Sequence, residues 1–377
     1  MERNEFEQRL EQSGLGSTAR FLKEPQFQSL DLSAVELANE LVRECQLTDY
    51  QANVLLNPSS DPLRFGKYLI LDKIGQGGMG VVFKAKEFDG NGDYSYDQLI
   101  ALKLLPTRMS NNETAIRRFT REAELAIRLV HPNIVRAIEY GEHDGRHYFA
   151  MEYVDGYNVK DYLERRGSGL AMLTAFEFLR DATKALASAH ANSVIHRDIK
   201  PSNMLVHRNG TLKVLDMGLA RLMIDDDSHG DELTDMNLTM TGTVLGTTGY
   251  MAPEQAMNSK NADHRSDIYS LGCTFYYFLF GEDIYGGETM VEKIVSHRES
   301  PIPDLCELRN DVPRPVQKMF EKMVAKQVDE RYQTVGELLS DIELSLKEFG
   351  HMWMIQRYLH EKKGRTTKSS DDSSFEI

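Results

Sequence analysis

Cysteine, tryptophan and basic residues are the scarce components of this chain. Its 377 residues include three cysteines, one tryptophan and 11 prolines, and 44 Lys and Arg stand against 58 Asp and Glu. The cysteines, Cys45, Cys273 and Cys306, have neither the spacing of a metal site nor the number a disulfide framework needs, which points to a reducing compartment. A formal net charge of −14 weighs against a nucleic-acid surface as the main partner. Long apolar runs are missing too. The start, Met1-Glu2-Arg3-Asn4-Glu5, has no stretch of signal-peptide type, and the most apolar run, Ile268 to Phe280, is too short to span a bilayer and reads as a buried core helix. The expectation is a cytoplasmic protein with no membrane span.

What is present suits a globular protein: 41% hydrophobic and 27% charged residues, with length enough for one large two-lobed domain or two ordinary ones. Residues 1–62 read as a small helical module. Ser33-Ala34-Val35-Glu36 is a capping-box pattern ahead of the stripe Leu37, Ala38, Leu41, Val42 and Cys45, and Thr48-Asp49-Tyr50-Gln51 repeats the signal before Ala52, Val54, Leu55 and Leu56. So short a piece is a marginal fold, so it is expected to dock on the rest of the chain or on a partner protein. From Tyr68 the pattern turns to strands: Tyr68–Ile74, Val81–Lys86, Leu99–Leu105 and Tyr148–Val154, with a helix from about Glu113 to Leu129. Beyond Gly156 the chain is mainly helical to about Leu359, and the serine-rich tail from Gly364 is too polar to pack. Strands first and helices second give an α+β chain with a small β-rich lobe followed by a larger helical one.

The chemistry-bearing motifs follow that order. Ile74-Gly75-Gln76-Gly77-Gly78-Met79-Gly80-Val81-Val82 is glycine-rich, a weak signal alone because dinucleotide-binding folds also open on glycines. There the glycines lead into a helix; here they lead into a strand-like run at Val81, and no Walker-type Gly-Lys-Ser/Thr exists. The glycines are expected to let the loop lie close to phosphates, an approach that a Cβ at Gly77 or Gly80 would hinder. Lys103 sits among apolar neighbours in Ala101-Leu102-Lys103, where an unpaired ammonium is costly, and the following helix offers Glu122 or Glu124 as an anion. The densest stretch is Val194-Ile195-His196-Arg197-Asp198-Ile199-Lys200-Pro201-Ser202-Asn203, which supplies a carboxylate, a lysine and an amide in one loop. Asp216-Met217-Gly218 and Ala252-Pro253-Glu254 follow.

Together these motifs resemble those of the bacterial eukaryotic-like serine/threonine protein kinases, over about Phe65 to Leu346. The resemblance implies a bilobal kinase fold at residues 63–348, a helical extension at 1–62, and a helix end and polar tail at 349–377. It implies ATP-dependent phosphorylation of Ser and Thr on protein substrates, with Mg²⁺, or alternatively Mn²⁺, as the cation. The runner-up is a nucleotide-binding pseudokinase scaffold.

By the same resemblance Asp198 orients the substrate hydroxyl, Lys200 neutralises the moving phosphoryl, and Asn203 and Asp216 hold the metal. Lys103 pairs with the nucleotide phosphates and with Glu122, Glu124 being the weaker choice. Ile74, the glycine loop, Val82, Ala101, Met151 as gatekeeper, and the backbone of Glu152 and Val154 enclose the nucleotide. Asp267 anchors the catalytic loop, and Glu254 pairs with Arg331. Thr247 bridges Asp198 and Lys200. Thr239 and Thr241, with Thr243 behind them, are the leading autophosphorylation sites, and Arg197 precedes the catalytic aspartate as the receiver of that phosphate. Met217 stands where Phe is commonest, an apolar filler expected to retain activity.

Overall fold

A computed structural model describes residues 1–23, 32–57, 61–77, 80–88, 94–106, 113–215, 248–257 and 262–365, without the side chains of 16, 17, 88, 94–97, 114, 115, 118, 122 and 359–365. The chain divides into two units: residues 1–123 with 137–153, and 124–136 with everything from 154 onward.

The first unit is built on a six-stranded sheet in the order β1-β2-β3-β4-β6-β5, antiparallel throughout. The strands are β1 (Arg64–Phe65), β2 (Tyr68–Gly77), β3 (Gly80–Phe88), β4 (Tyr94–Leu104), β5 (Ala137–His143) and β6 (Arg146–Glu152). The period-two alternation of a strand puts Tyr68 and Ile70, Phe83 and Ala85, and Ile100, Leu102 and Leu104 together in one buried cluster. Among the described residues, four helices precede the sheet: α1 (Arg3–Gln12), α2 (Gly16–Phe21), α3 (Ala34–Arg43) and α4 (Asp49–Leu56). Both capping boxes form, Ser33 with Glu36 and Thr48 with Gln51. The helices' apolar faces close around Phe6, Leu10, Leu37, Leu41 and Leu55, and Leu69 of β2 completes that cluster. The N-terminal residues therefore share a core with the sheet. After β4 comes α5 (Glu113–Arg128), whose Phe119 meets the rings of Tyr140, His147 and Phe149.

The second unit carries a small sheet, β7 (Gly156–Asn158), β8 (Met204–His207) and β9 (Leu212–Val214), and helices α6 (Val159–Arg166), α7 (Met172–Ala191), α8 (Pro253–Met257), α9 (His264–Phe280), α10 (Met290–Glu299), α11 (Arg314–Met323) and α12 (Val335–Arg365). The apolar run from Ile268 is α9, and every residue from Ser266 to Leu279 is buried, which is what a helix apolar on all sides requires. Asp263 caps its start and Gly281, at φ +76°, ends it. Phe176 of α7 packs edge-on against Phe275 of α9 and also, at a tilt, against Trp353 of α12. Phe349 also meets Trp353, and α12 continues to Arg365, past the expected end near Leu359 and past Gly364.

Candidate active site

The residues that the sequence singles out fall in both units. In the first, β2 and β3 form a hairpin that closes at Gly77 opposite Gly80, with Gln76 opposite Val81 and Gly75 opposite Val82. Gly78 and Met79 lie outside the described residues. Gly80 has φ +116°, and a Cβ there would lie 2.1 Å from the Leu104 carbonyl oxygen. The glycine is thus required by the approach of β3 to β4 within the protein itself. At Gly77 an added Cβ would meet nothing within 4 Å, so the protein's own packing does not demand that glycine.

Lys103 is buried, its backbone in register between Val82 on β3 and Phe149 on β6. Phe149 is also a ring neighbour of Phe119, so α5 docks beside the lysine's strand, and position 122 falls one turn after Phe119. The Glu122 side chain lies outside the described residues, and Glu124 is exposed. Ala101 is paired with Met151, and both are buried; Glu152 ends β6 opposite Ile100. Ile74 is largely exposed. The chain passes from the first unit to the second between Tyr153 and Val154.

The second unit holds the loop from His196 to Asn203. Asp267, wholly buried in the first turn of α9, accepts hydrogen bonds from the backbone N–H of His196 (2.9 Å) and of Arg197 (2.7 Å), and lies 2.8 Å from His190 Nε2. Two successive N–H groups can converge on one carboxylate because Arg197 adopts φ +64°, the left-handed region that costs a non-glycine residue strain. His196 accepts from the N–H of Asp198 at Nδ1 (3.2 Å), and its Nε2 lies 2.8 Å from the Leu215 carbonyl. A carbonyl can only accept, so the proton sits on Nε2 and the ring acts as a fixed spacer rather than a base. Gln255 donates to the Arg197 carbonyl (2.8 Å) and Asn158 to that of Ser202 (2.7 Å), holding the loop from two more elements.

At the centre stands Asp198, 7% exposed. Its Oδ2 accepts from Asn203 Nδ2 (2.9 Å) and pairs with Lys200 Nζ (2.8 Å). Asn203 Nδ2 also donates to the Asp198 carbonyl (2.8 Å). Two acceptors facing the amide nitrogen fix the orientation of Asn203, and its Oδ1, which takes no part in those bonds, is an oxygen donor of the kind a hard divalent cation takes. Asp198 Oδ1 is buried and has no hydrogen-bond partner among the described residues. A buried carboxylate oxygen without a donor is costly, and a hydroxyl brought to it would satisfy it. Leu215 donates its N–H to the Asn203 carbonyl (2.9 Å), so the residue before Asp216 is tied to the loop. Asp216 itself, Thr247, and the threonines Thr239, Thr241 and Thr243 lie outside the described residues.

Glu254 follows the same segment. It forms a two-pronged pair with the fully buried Arg331 (2.7 and 2.8 Å) and accepts from Ser266 Oγ (2.9 Å). Burial alone would raise the Glu254 carboxyl, but hydrogen bonds and charge from Arg331 outweigh it and hold the pKa below the usual value. His190, Gln255 and Asn158 have no place in the sequence reading. Gln255 and Asn158 bond the loop's backbone and His190 bonds the Asp267 carboxylate, all from distant positions, and no local spacing marks such bonds.

A curled antiparallel sheet followed by a helical unit with this loop defines a class, and comparison with known proteins names it. The family described as "Protein kinase domain" matches residues 68–341, and the chain belongs to it. It is similar to the probable serine/threonine-protein kinase PknB of Lactococcus lactis, 36% identical over 279 residues, which is 74% of this chain and 42% of that protein. It is similar also to the serine/threonine-protein kinase PrkC of Bacillus subtilis, 36% identical over 278 residues, 74% of this chain and 40% of that protein. The chain thus matches only about two fifths of the length of these relatives. Among solved structures, the Mycobacterium tuberculosis PknI kinase domain superimposes with a TM-score of 0.55 at 24% identity, covering 74% of this chain and 96% of that one, a likeness of fold.

Proposed function

We propose that the chain transfers the γ-phosphoryl group of ATP to Ser and Thr hydroxyls of proteins, its own activation segment included. The observation that carries the reading is Asp198, whose Oδ2 is held by Asn203 and Lys200 while its buried Oδ1 has no hydrogen-bond partner among the described residues. The substrate hydroxyl donates to Oδ1, and its oxygen attacks the γ-phosphorus as the bond to the bridging oxygen of ADP breaks; the proton passes to the carboxylate. In so loose a transition state, orientation of the hydroxyl counts for more than basicity. Lys200, on the same carboxylate, lies where it can offset charge on the moving group. A divalent cation, Mg²⁺ ahead of Mn²⁺, would supply further neutralisation of the phosphates, and Oδ1 of Asn203 with Asp216 would hold it.

Lys103 with Glu122, the Gly75–Gly80 loop, and the backbone of Glu152 and Val154 below Met151 are assigned to the nucleotide. Thr247 is assigned to bridging Asp198 and Lys200, and Thr239, Thr241 and Thr243 to autophosphorylation. The kinase domain is placed at 63–348, with 1–62 as a helical extension. No described helix is long and apolar enough to cross a membrane; signalling from the cytoplasm is part of the same proposal.

The test is incubation of wild type and Asp198→Asn with labelled ATP, Mg²⁺ and a generic protein acceptor, followed by phosphosite mapping. Label on Ser and Thr with wild type alone is the expected result. Nucleotide binding without any transfer by wild type would replace the kinase reading with that of a nucleotide-binding scaffold.

A further inference from the structure

Strand β2 leads into the glycine loop, and it is not straight. Its register on β3 runs Ile70 opposite Ala85 and then Asp72 opposite Lys84, so Leu71 is an extra residue; Lys73 opposite Phe83 and Gly75 opposite Val82 make Ile74 a second one. Such bulges bend a strand and leave backbone groups without a ladder partner. Here the N-terminal helices take up those groups. Thr48 Oγ1 donates to the Leu71 carbonyl (2.5 Å), and Gln51 Nε2 donates to the Ile70 carbonyl (2.7 Å).

The two residues are also the capping box of α4: Gln51 N–H donates to Thr48 Oγ1 (3.1 Å), and Thr48 N–H to Gln51 Oε1 (3.0 Å). One four-residue unit therefore starts a helix and grips the bent strand. Between them, Tyr50 donates to the Pro62 carbonyl (3.1 Å) and sets its ring 6.0 Å from that of Phe83 on β3. Two further ties hold the same stretch: Ile70 N–H donates to the Leu63 carbonyl (2.9 Å), and Lys73 pairs with Asp61 (3.0 Å). Gln51 is 2% exposed, so its amide is committed to this contact.

We infer that Thr48 and Gln51 are positioning residues for the nucleotide: by fixing the Leu71 bulge they set the direction in which β2 delivers Gly75–Gly80. The inference rests on the reading of that loop as the phosphate cradle. A loop held in its bound direction loses less freedom when a nucleotide arrives, so releasing the bulge weakens nucleotide binding while leaving the peptide's own contacts intact.

The experiment uses the full chain with Thr48→Val, Gln51→Leu, Thr48→Ser and Ser33→Ala. Ser33 caps α3 in the same helical module, but its hydroxyl bonds only with Glu36 among the described residues. Ser33→Ala therefore removes a cap without touching β2. KM for Mg-ATP, KM for an acceptor peptide, affinity for a fluorescent ADP analogue and Tm are measured for each.

Thr48→Val and Gln51→Leu are expected to raise the ATP KM and the analogue Kd by about three- to tenfold with peptide KM unmoved. Thr48→Ser keeps wild-type values, and Ser33→Ala lowers Tm while leaving nucleotide affinity alone. Unchanged nucleotide affinity in both clamp variants, or an equal loss in Ser33→Ala, overturns the inference. If Thr48→Val does not fold, Gln51→Leu carries the comparison. A wild type that binds the analogue but transfers no phosphoryl fails the kinase reading instead, and the analogue affinities still decide the clamp.

Discussion

At the residue scale, the catalytic loop divides its polar atoms between those spent on holding shape and those left for chemistry. Asp198 illustrates both, one oxygen bonded to Asn203 and Lys200 and the other buried without a hydrogen-bond partner among the described residues. Asp198→Asn keeps the volume and loses the charge, so kcat should fall by about 10²- to 10⁴-fold while nucleotide affinity changes little. A single-turnover assay beside an ADP-analogue titration separates the two; equal losses in both would mean that the loop itself had shifted. The cysteines respond to burial in a different way. Cys273 is fully buried and its thiol is pushed well up by desolvation, whereas Cys45 is exposed. A thiol reagent on native protein should therefore label Cys45 and leave Cys273 untouched until denaturant is added, as peptide mapping would reveal.

At the element scale, helix ends and the loop they fix set stability. The Glu254–Arg331 pair joins α8 to the segment before α12, with Arg331 having no exposed side-chain surface. Glu254→Ala strands that guanidinium, at a cost of about 3–5 kcal/mol. Denaturant unfolding should register this as a lower midpoint; a shift near zero would show that water reaches Arg331.

What the sequence reveals at this scale depends on range. The Ser33–Glu36 and Thr48–Gln51 boxes are legible because cap and acceptor lie three residues apart, and the catalytic loop is legible because its working residues are contiguous. The long apolar helix reads correctly from composition alone. The bulges at Leu71 and Ile74 do not, since an extra residue in one strand is defined only by its partner. Nor do the two-residue strand β1, or the bonds from α4 to β2, which join a side chain to a carbonyl 19 or 23 residues away. The last turns of α12, from about Leu359 to Arg365, are missed because a polar stretch that runs into a serine-rich tail carries no apolar helix signal.

At the scale of the whole molecule, acid sensitivity follows from groups buried in one protonation state. His297 is 1% exposed, beside Tyr269 Oη (2.9 Å) and with Lys326 bonded to its carbonyl. Burial first, and the Lys326 charge second, lower its pKa to about 4 from an ordinary 6.5. The unfolded chain thus binds a proton that the folded one refuses between those values. The contribution is complete above the ordinary value and is lost progressively as pH falls towards the folded one. Glu254, also depressed, has the same sign at lower pH, its share present above the ordinary carboxylate value and lost as pH falls through the folded one. Tm should therefore decline from pH 7 to pH 4, and His297→Gln should flatten the upper part of that decline. An unchanged slope in the variant would remove His297 from the account.

The single tryptophan adds an optical consequence. Trp353 is 1% exposed, with its ring 4.6 Å from that of Phe176, so all indole emission of the chain originates at the junction of α12 and α7. Emission wavelength and quenching by iodide thus report a single event, the release of the last helix, with no second fluorophore of that kind to disentangle.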